Sequence, residues 1–72
     1  MTLKTILSSI FEDWEIDFYT KSGNYLLSTY EKDRKTDKQL LAFKKHYGSV
    51  KVLKVLPTAA SNFLGVYLDI EG

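Results

Sequence analysis

The segment WEIDFYTKSGNYLLSTYE, residues 14–31, decides the fold because a turn signal separates two stretches that have strand character. The first stretch alternates with period two, so its even-numbered and odd-numbered side chains are expected on opposite sheet faces. Ser22-Gly23-Asn24 predicts the turn, and the aromatic and apolar residues that follow predict a returning strand. A β-hairpin is therefore the first element of the expected sheet.

The length of the turn decides which side chains of this hairpin share a face. A two-residue loop, either Ser22-Gly23 or Gly23-Asn24, places on one face Phe18, Tyr25, Leu27 and Thr29. The same loop places on the other face Tyr19, Leu26 and Tyr30. A three-residue loop exchanges the two sets, and both registers leave apolar or aromatic side chains on each face.

A well-marked helix is predicted at residues 37–47, after the polar linker KDRKTDK. Thr36 and Gln39 have the spacing of a capping box that would begin the helix. Gly48 is expected just past its end, where glycine commonly adopts left-handed backbone angles. An apolar stripe would bury one face of this helix: Leu40, Leu41, Phe43 and Tyr47.

Three more elements complete the pattern. Apolar residues at helical spacing predict a short helix at 3–11, with Thr2 as N-cap. SVKVLKVL predicts a strand at 50–56, and its apolar residues on both faces favour a place inside the sheet. After a predicted loop at 57–62, the last strand turns Leu64, Val66, Leu68 and Ile70 toward the core, with Gly65 as a possible bulge position.

The predicted order is α-β-β-α-β-β. It indicates a single α+β domain over residues 1–72, with a four-stranded, mainly antiparallel sheet and helices packed on it. A chain of 72 residues has room for one hydrophobic core only.

Composition excludes several classes of protein. The chain has no cysteine and one histidine, which excludes disulfides, thiolate chemistry and the usual zinc sites. No apolar run reaches the roughly 18–20 residues that span a bilayer, so no membrane partner is expected. The N-terminal residues lack the features of a signal peptide, which predicts a cytoplasmic protein.

No motif predicts an enzyme. His46 has no acidic residue within one helical turn, and it is interpreted as a solvated histidine that the helix dipole stabilises. Glu15 and Asp17 share a strand face, but no calcium-loop pattern accompanies them. We therefore expect no catalytic residue, no bound metal and no cofactor.

Charge is concentrated in one part of the chain, although the net charge is only +1. Residues 32–54 hold eight of the ten Lys and Arg residues against two acids, and the segments on either side are acidic. Seven of these residues are expected to form one basic surface that could follow phosphates: Lys32, Arg34, Lys35, Lys38, Lys45, Lys51 and Lys54. A solvated helix face next to a solvated linker would explain the same pattern.

Aromatic residues make up 14% of the chain, more than two short helices are expected to cover. Tyrosine is enriched at the centres of protein interfaces. Candidate interface residues on the second sheet face are Tyr19, Leu26, Tyr30, Phe63 and Tyr67. Coverage of these residues by the second helix is the alternative.

Two hypotheses follow from these patterns. The first is a non-enzymatic protein-binding module of the inhibitor or adaptor type, possible also as a homodimer, that uses an aromatic sheet face with charged rims. The second is a nucleic-acid-binding protein that uses residues 32–54. In general style alone, the small size and the lack of catalytic motifs resemble small accessory proteins of bacterial mobile elements, and no residue role follows from that resemblance.

Overall fold

A computed structural model describes residues 1–59 and 62–72, with the side chains of Ser9 and Ile10 excluded. The helical elements are α1 (Leu3–Thr5), continued by a π-helical turn (Ile6–Ile10), and α2 (Lys38–Tyr47). The strands are β1 (Glu15–Tyr19), β2 (Tyr25–Ser28), β3 (Val52–Pro57) and β4 (Phe63–Leu68). The loop predicted at 57–62 includes Ala60 and Ser61, which lie outside the described residues.

The four strands form one mixed sheet in the order β2-β1-β4-β3. Each hairpin, β1 with β2 and β3 with β4, is antiparallel, but the two hairpins meet through a parallel pairing of β1 with β4. The fold is therefore α+β as predicted, and the sheet expected to be mainly antiparallel is mixed, since one of its pairings is parallel. The parallel contact arises because α2 crosses the sheet between the hairpins and returns the second one beside the first.

The hairpin register combines the two predicted sets because β2 carries an irregularity. Phe18 pairs with Leu27, but the register then shifts and Tyr19 pairs with Tyr25. Tyr25 therefore shares a face with Tyr19, and Leu26 is half-buried against the core. The two-residue-loop register, which placed Tyr25 with Phe18 and Leu26 with Tyr19, was wrong at this end of the hairpin, since an extra residue in one strand reverses the alternation beyond it.

The prediction that the third strand lies inside the sheet was also wrong, because β3 is an edge strand. Leu53 and Leu56 are 46% and 44% exposed. Leu53 occupies a bulge between Val52 and Lys54, and β3 ends in Pro57, which has no N–H to offer a further strand. The backbone N–H of Val52 is already used, since it donates to the carbonyl of Met1 at 2.9 Å.

The core lies between the helices and one face of the sheet. Ile16 and Phe18 of β1 and Val66 and Leu68 of β4 are fully buried, and Leu40 of α2 is 1% exposed. The remaining buried members of the same cluster are Leu3, Ile6, Leu7 and Leu27. Leu64, Val66, Leu68 and Ile70 all face inward as predicted, the last of them half-buried.

The ends of the helices differ in detail from the predicted ones. The N-cap of α1 is Thr2, as predicted, whereas α2 is capped by Asp37, whose Oδ1 accepts from the N–H of Leu40 at 2.9 Å. Thr36 is therefore not the cap. Gly48 ends α2 with right-handed helical angles (φ −56°) in place of the expected left-handed ones. Glycine is needed there for space, since a Cβ would lie 2.5 Å from the Lys44 carbonyl oxygen.

Candidate functional site

The sheet face turned away from the helices carries a row of aromatic rings. Tyr25 meets Tyr19 edge-on with 6.0 Å between ring centroids, and Tyr19 stacks on Tyr67 at 5.1 Å with the planes 21° apart. On β3, Lys54 places its Nζ 4.5 Å from the centroid of Tyr67, a cation–π geometry. The row therefore crosses all four strands, because paired residues of neighbouring strands project to the same side.

A second ring pair lies at the other end of this face. Tyr30 follows β2, and its ring centroid lies 5.6 Å from that of Phe63 on β4. Tyr25 is 60% exposed and Tyr30 is 53% exposed, whereas the other three rings are half-buried against their neighbours. We call the surface formed by Tyr19, Tyr25, Tyr30, Phe63 and Tyr67 the aromatic face.

Gly65 lies in the middle of the aromatic face and is in regular register with Asp17, so the bulge predicted there lies instead in β3. A methyl group at this position would lie 3.5 Å from the Tyr19 ring and 3.7 Å from the Tyr67 ring. The two rings therefore cover the bare backbone of the glycine, an arrangement that compensates for the missing side chain.

The aromatic face carries acidic side chains on β1 and a basic side chain on β3. Glu15 and Asp17 project from β1 on this side, and Lys54 projects from β3. The Glu15 Oε2 accepts from the Thr29 hydroxyl at 3.1 Å, and that hydroxyl in turn accepts from the N–H of Ile16. Burial, followed by the nearby charge of Asp17, raises the pKa of the Tyr19 phenol above its ordinary value, so the ring stays neutral at pH 7.

Four of the five predicted interface residues lie together on this face. The exception is Leu26, which packs against the core. Tyr25 belongs to the face but was not among the candidates, although the three-residue-loop register placed it beside Tyr19. Leu56, which pairs with Gly65, was also missed because the sequence does not show that β3 is an edge strand.

The seven predicted basic residues lie on several surfaces. Lys54 sits on the aromatic face, whereas Lys38 and Lys45 are exposed on α2, which covers the opposite side of the sheet. Lys51 is exposed just before β3, and Lys32, in the linker, is half-buried. Arg34 and Lys35 border a cleft on the helix side of the molecule.

Other chemistry is sparse in the part of the chain that the structure describes. His46 is exposed at the end of α2, with its ring centroid 4.5 Å from that of Tyr47 in an edge-on contact. No group of three or more His, Asp or Glu residues among the described ones is placed to hold a metal ion. Within residues 1–59 and 62–72, no helix is both long and apolar enough to cross a bilayer.

No family model matches the sequence, and comparison with curated proteins and with solved structures finds no significant match.

Proposed function

We propose that this chain is a non-enzymatic protein-binding module, of the inhibitor or adaptor type, that docks through its aromatic face. The observation that carries the proposal is the unbroken row of Tyr25, Tyr19, Tyr67 and Lys54 across the uncovered side of the sheet. Packed tyrosines offer large contact area at low cost in conformational entropy, since their rings are already held by neighbours.

Charge indicates what kind of protein fits this face. The Asp17 carboxylate stands beside Gly65 near its centre, and it makes no hydrogen bond or ion pair with the described residues. Docking would bury this carboxylate, which is costly unless a cation meets it. The partner we propose therefore presents an arginine or lysine within an apolar surface, and arginine also stacks well on tyrosine.

The same carboxylate disfavours a face-to-face homodimer. In a two-fold symmetric interface, residues near the axis meet their own copies. A dimer whose two-fold axis passes near the centre of this face would bring two Asp17 carboxylates together, and like charges repel each other. A different protein avoids this repulsion, so we infer that the face binds a protein other than a second copy of this chain.

Size adds a further requirement on the partner. Four strands about 4.8 Å apart, each about five residues long at about 3.3 Å per residue, cover roughly 300 Å². A standard interface buries about 800 Å² of accessible surface on each partner, a measure that also counts the relief of the side chains. The partner must therefore extend beyond the rings to the rim, where the Leu56 side chain is 44% exposed.

The test is affinity capture from the native host with four immobilised baits: the wild type, Tyr67→Ala, Asp17→Lys and the control Lys45→Ala on α2. We expect a protein that the wild type and the control retain and that both face variants lose. Light scattering of the free chain should show a monomer. Equal retention by all four baits, no retained protein, or a dimer that Tyr67→Ala dissociates would contradict the proposal.

Nucleic-acid binding through residues 32–54 is the alternative. It now requires a ligand that reaches more than one side of the molecule, because Lys54 and the α2 lysines lie on opposite sides of the sheet. It predicts affinity that falls steeply with salt and is lost in the double variant Lys35→Glu, Lys45→Glu. Absence of any mobility shift with single- or double-stranded DNA or RNA at low salt would remove it.

A further inference from the structure

A cleft of about 390 Å³ lies on the helix side of the molecule, away from the aromatic face. The π-helical turn and the residues after it provide one wall, the linker provides the second, and α2 provides the third. Charged side chains border it from all three walls: Glu12 from the first, Arg34 and Lys35 from the second, and Lys44 from the third. Leu7 and Leu41 add apolar surface.

No described residue forms an ion pair with the cations around this cleft, although the Asp33 carboxylate lies near enough to Lys35 for that charge to lower the Asp33 pKa. Among the described residues the one ion pair joins Lys21 to Glu71, at the far end of the β1–β2 hairpin. Arg34, Lys35 and Lys44 are therefore unpaired, and Glu12 is not within ion-pair distance of any of them. Three like charges around one depression repel one another, and an anion within it would relieve that repulsion.

Arg34 lines the cleft and has one hydrogen-bond donor that its described neighbours leave unused. Its Nη2 donates to the carbonyl of Trp14, which holds the guanidinium in place. Its Nη1 is shielded from solvent and has no hydrogen-bond partner within the described residues. A buried donor without an acceptor is costly, so this guanidinium has hydrogen-bonding capacity to spare beside the cleft.

The local backbone keeps the second cation beside the first. The Oδ1 of Asp33 accepts from the N–H groups of Lys35 and Thr36 at 2.8 Å and 3.2 Å, which orders the turn carrying Arg34 and Lys35. These hydrogen bonds, the one from Lys35 foremost, lower the pKa of Asp33, so its carboxylate stays ionised near neutral pH. On α2, Lys44 stands one turn after Leu41, which puts an ammonium group next to an apolar wall.

We infer that this cleft binds a phosphate monoester. The three basic residues outnumber the nearby acids Glu12 and Asp33, so the cleft keeps a net positive charge that favours a group with a charge of about −1.5 to −2 at pH 7. A guanidinium flanked by ammonium groups is a common phosphate-binding arrangement. The volume lies in the lower part of the range for small-molecule sites, enough for the phosphate and a small organic group against Leu7 and Leu41.

The test is titration of the ¹⁵N-labelled chain with phenyl phosphate, followed by two-dimensional NMR, with phenyl sulfate as a monoanion of matched shape. We expect saturable shifts confined to residues around the cleft, and binding of phenyl phosphate at least about tenfold tighter than that of phenyl sulfate. A phosphotyrosyl tripeptide in a parallel titration separates the two sources of the group. Tighter binding of the peptide indicates a phosphorylated protein, and equal or weaker binding indicates a free metabolite.

Variants decide whether the shifts come from this site. Lys44→Gln should weaken phenyl phosphate binding about tenfold, and Arg34→Gln at least as much, while Lys54→Gln and Lys38→Gln leave it unchanged. Because Arg34 also holds the Trp14 carbonyl, Lys44→Gln is the decisive variant if Arg34→Gln fails to fold. Non-saturating shifts at every lysine, equal affinity for the sulfate, or wild-type affinity in Lys44→Gln would overturn the inference. None of these outcomes depends on the aromatic face.

Discussion

Tyr19 and Tyr67 stack with 5.1 Å between ring centroids across the parallel pairing of β1 and β4. Although residues 20–62 separate the two strands along the chain, this contact joins the two hairpins on their uncovered side. On the opposite side of the same two strands, Phe18 and Val66 are fully buried beneath the helices. Half-buried and fully buried residues therefore alternate one by one along β1.

The Tyr19 phenol should ionise at a higher pH than the phenol of a free tyrosine. Its pKa is raised above 10.0, first by burial and then by the charge of Asp17. Since the folded-state pKa exceeds the unfolded one, the stability linked to this group is present below about pH 10 and is lost as the pH rises through the folded-state value. Absorbance at 295 nm or ¹³Cζ NMR of the tyrosines measures this titration.

Two variants test whether the ionisation at higher pH belongs to Tyr19. Tyr19→Phe should remove this high-pH component from the titration curve. Asp17→Asn should move it toward the ordinary value, because a repelling negative charge is gone. A curve that neither variant changes would contradict the assignment.

The two faces of β1 and β2 should respond differently to truncation. Phe18 is fully buried and its ring centroid lies 5.3 Å from that of Phe43, so Phe18→Ala should cost about 3–5 kcal/mol of unfolding free energy. That loss is close to the whole margin of a domain of this size, about 3–5 kcal/mol. Tyr25→Ala, at a 60% exposed position, should cost about 0.5 kcal/mol or less. Urea denaturation measures both, and similar midpoints for the two variants would refute this assignment of faces.

The cap of α2 can be tested against the one that the sequence pattern suggests. Asp37→Ala removes the carboxylate that accepts from the N–H of Leu40 and should cost about 1 kcal/mol. Thr36→Ala should cost about 0.5 kcal/mol or less, because Thr36 is not the cap. Thermal unfolding followed by circular dichroism compares the stability of the two variants. A greater loss of stability in Thr36→Ala would show that Thr36 is the N-cap, as the capping-box pattern predicts.

Gly48 should tolerate no side chain, for reasons of space. Gly48→Ala places a methyl carbon 2.5 Å from the Lys44 carbonyl oxygen and should cost about 1–3 kcal/mol. Gly48→Asn should lower the free energy of unfolding at least as much. Asparagine would be tolerated at this position only if its backbone angles were left-handed. Chemical denaturation of both, with Ser49→Ala at the exposed neighbouring position as control, checks the expectation. Wild-type stability of Gly48→Asn would show a left-handed cap in solution.

Local patterns in the sequence predicted the elements because each pattern has a local physical cause. Alternation at 14–20 predicted β1, and the helical spacing of Leu40 and Phe43 predicted α2. Phe63 and Tyr67 were correctly assigned to the face opposite Leu64, Val66 and Leu68, since a regular strand alternates without reference to its neighbours.

Pairing between strands could not be predicted in the same way. The shift between Phe18 and Tyr19, which moved Tyr25 to the outer face, depends on how β2 meets β1. The edge position of β3 depends on where α2 leaves the second hairpin, and two-sided apolar strands occur at edges as well as in the interior. The grouping of Arg34 with Lys44 likewise required the packing of α2 beside the linker.

By itself, the amino-acid sequence determined that this chain has six elements in the order helix, strand, strand, helix, strand, strand, because capping, turns and hydrophobic period act over a few neighbouring residues. Only the tertiary structure decided the parallel contact of β1 with β4, the rings that meet across it and the unpaired cations of the cleft. The physical reason is that these features join segments distant along the chain, and the free energy that selects among such pairings comes from packing of the whole core.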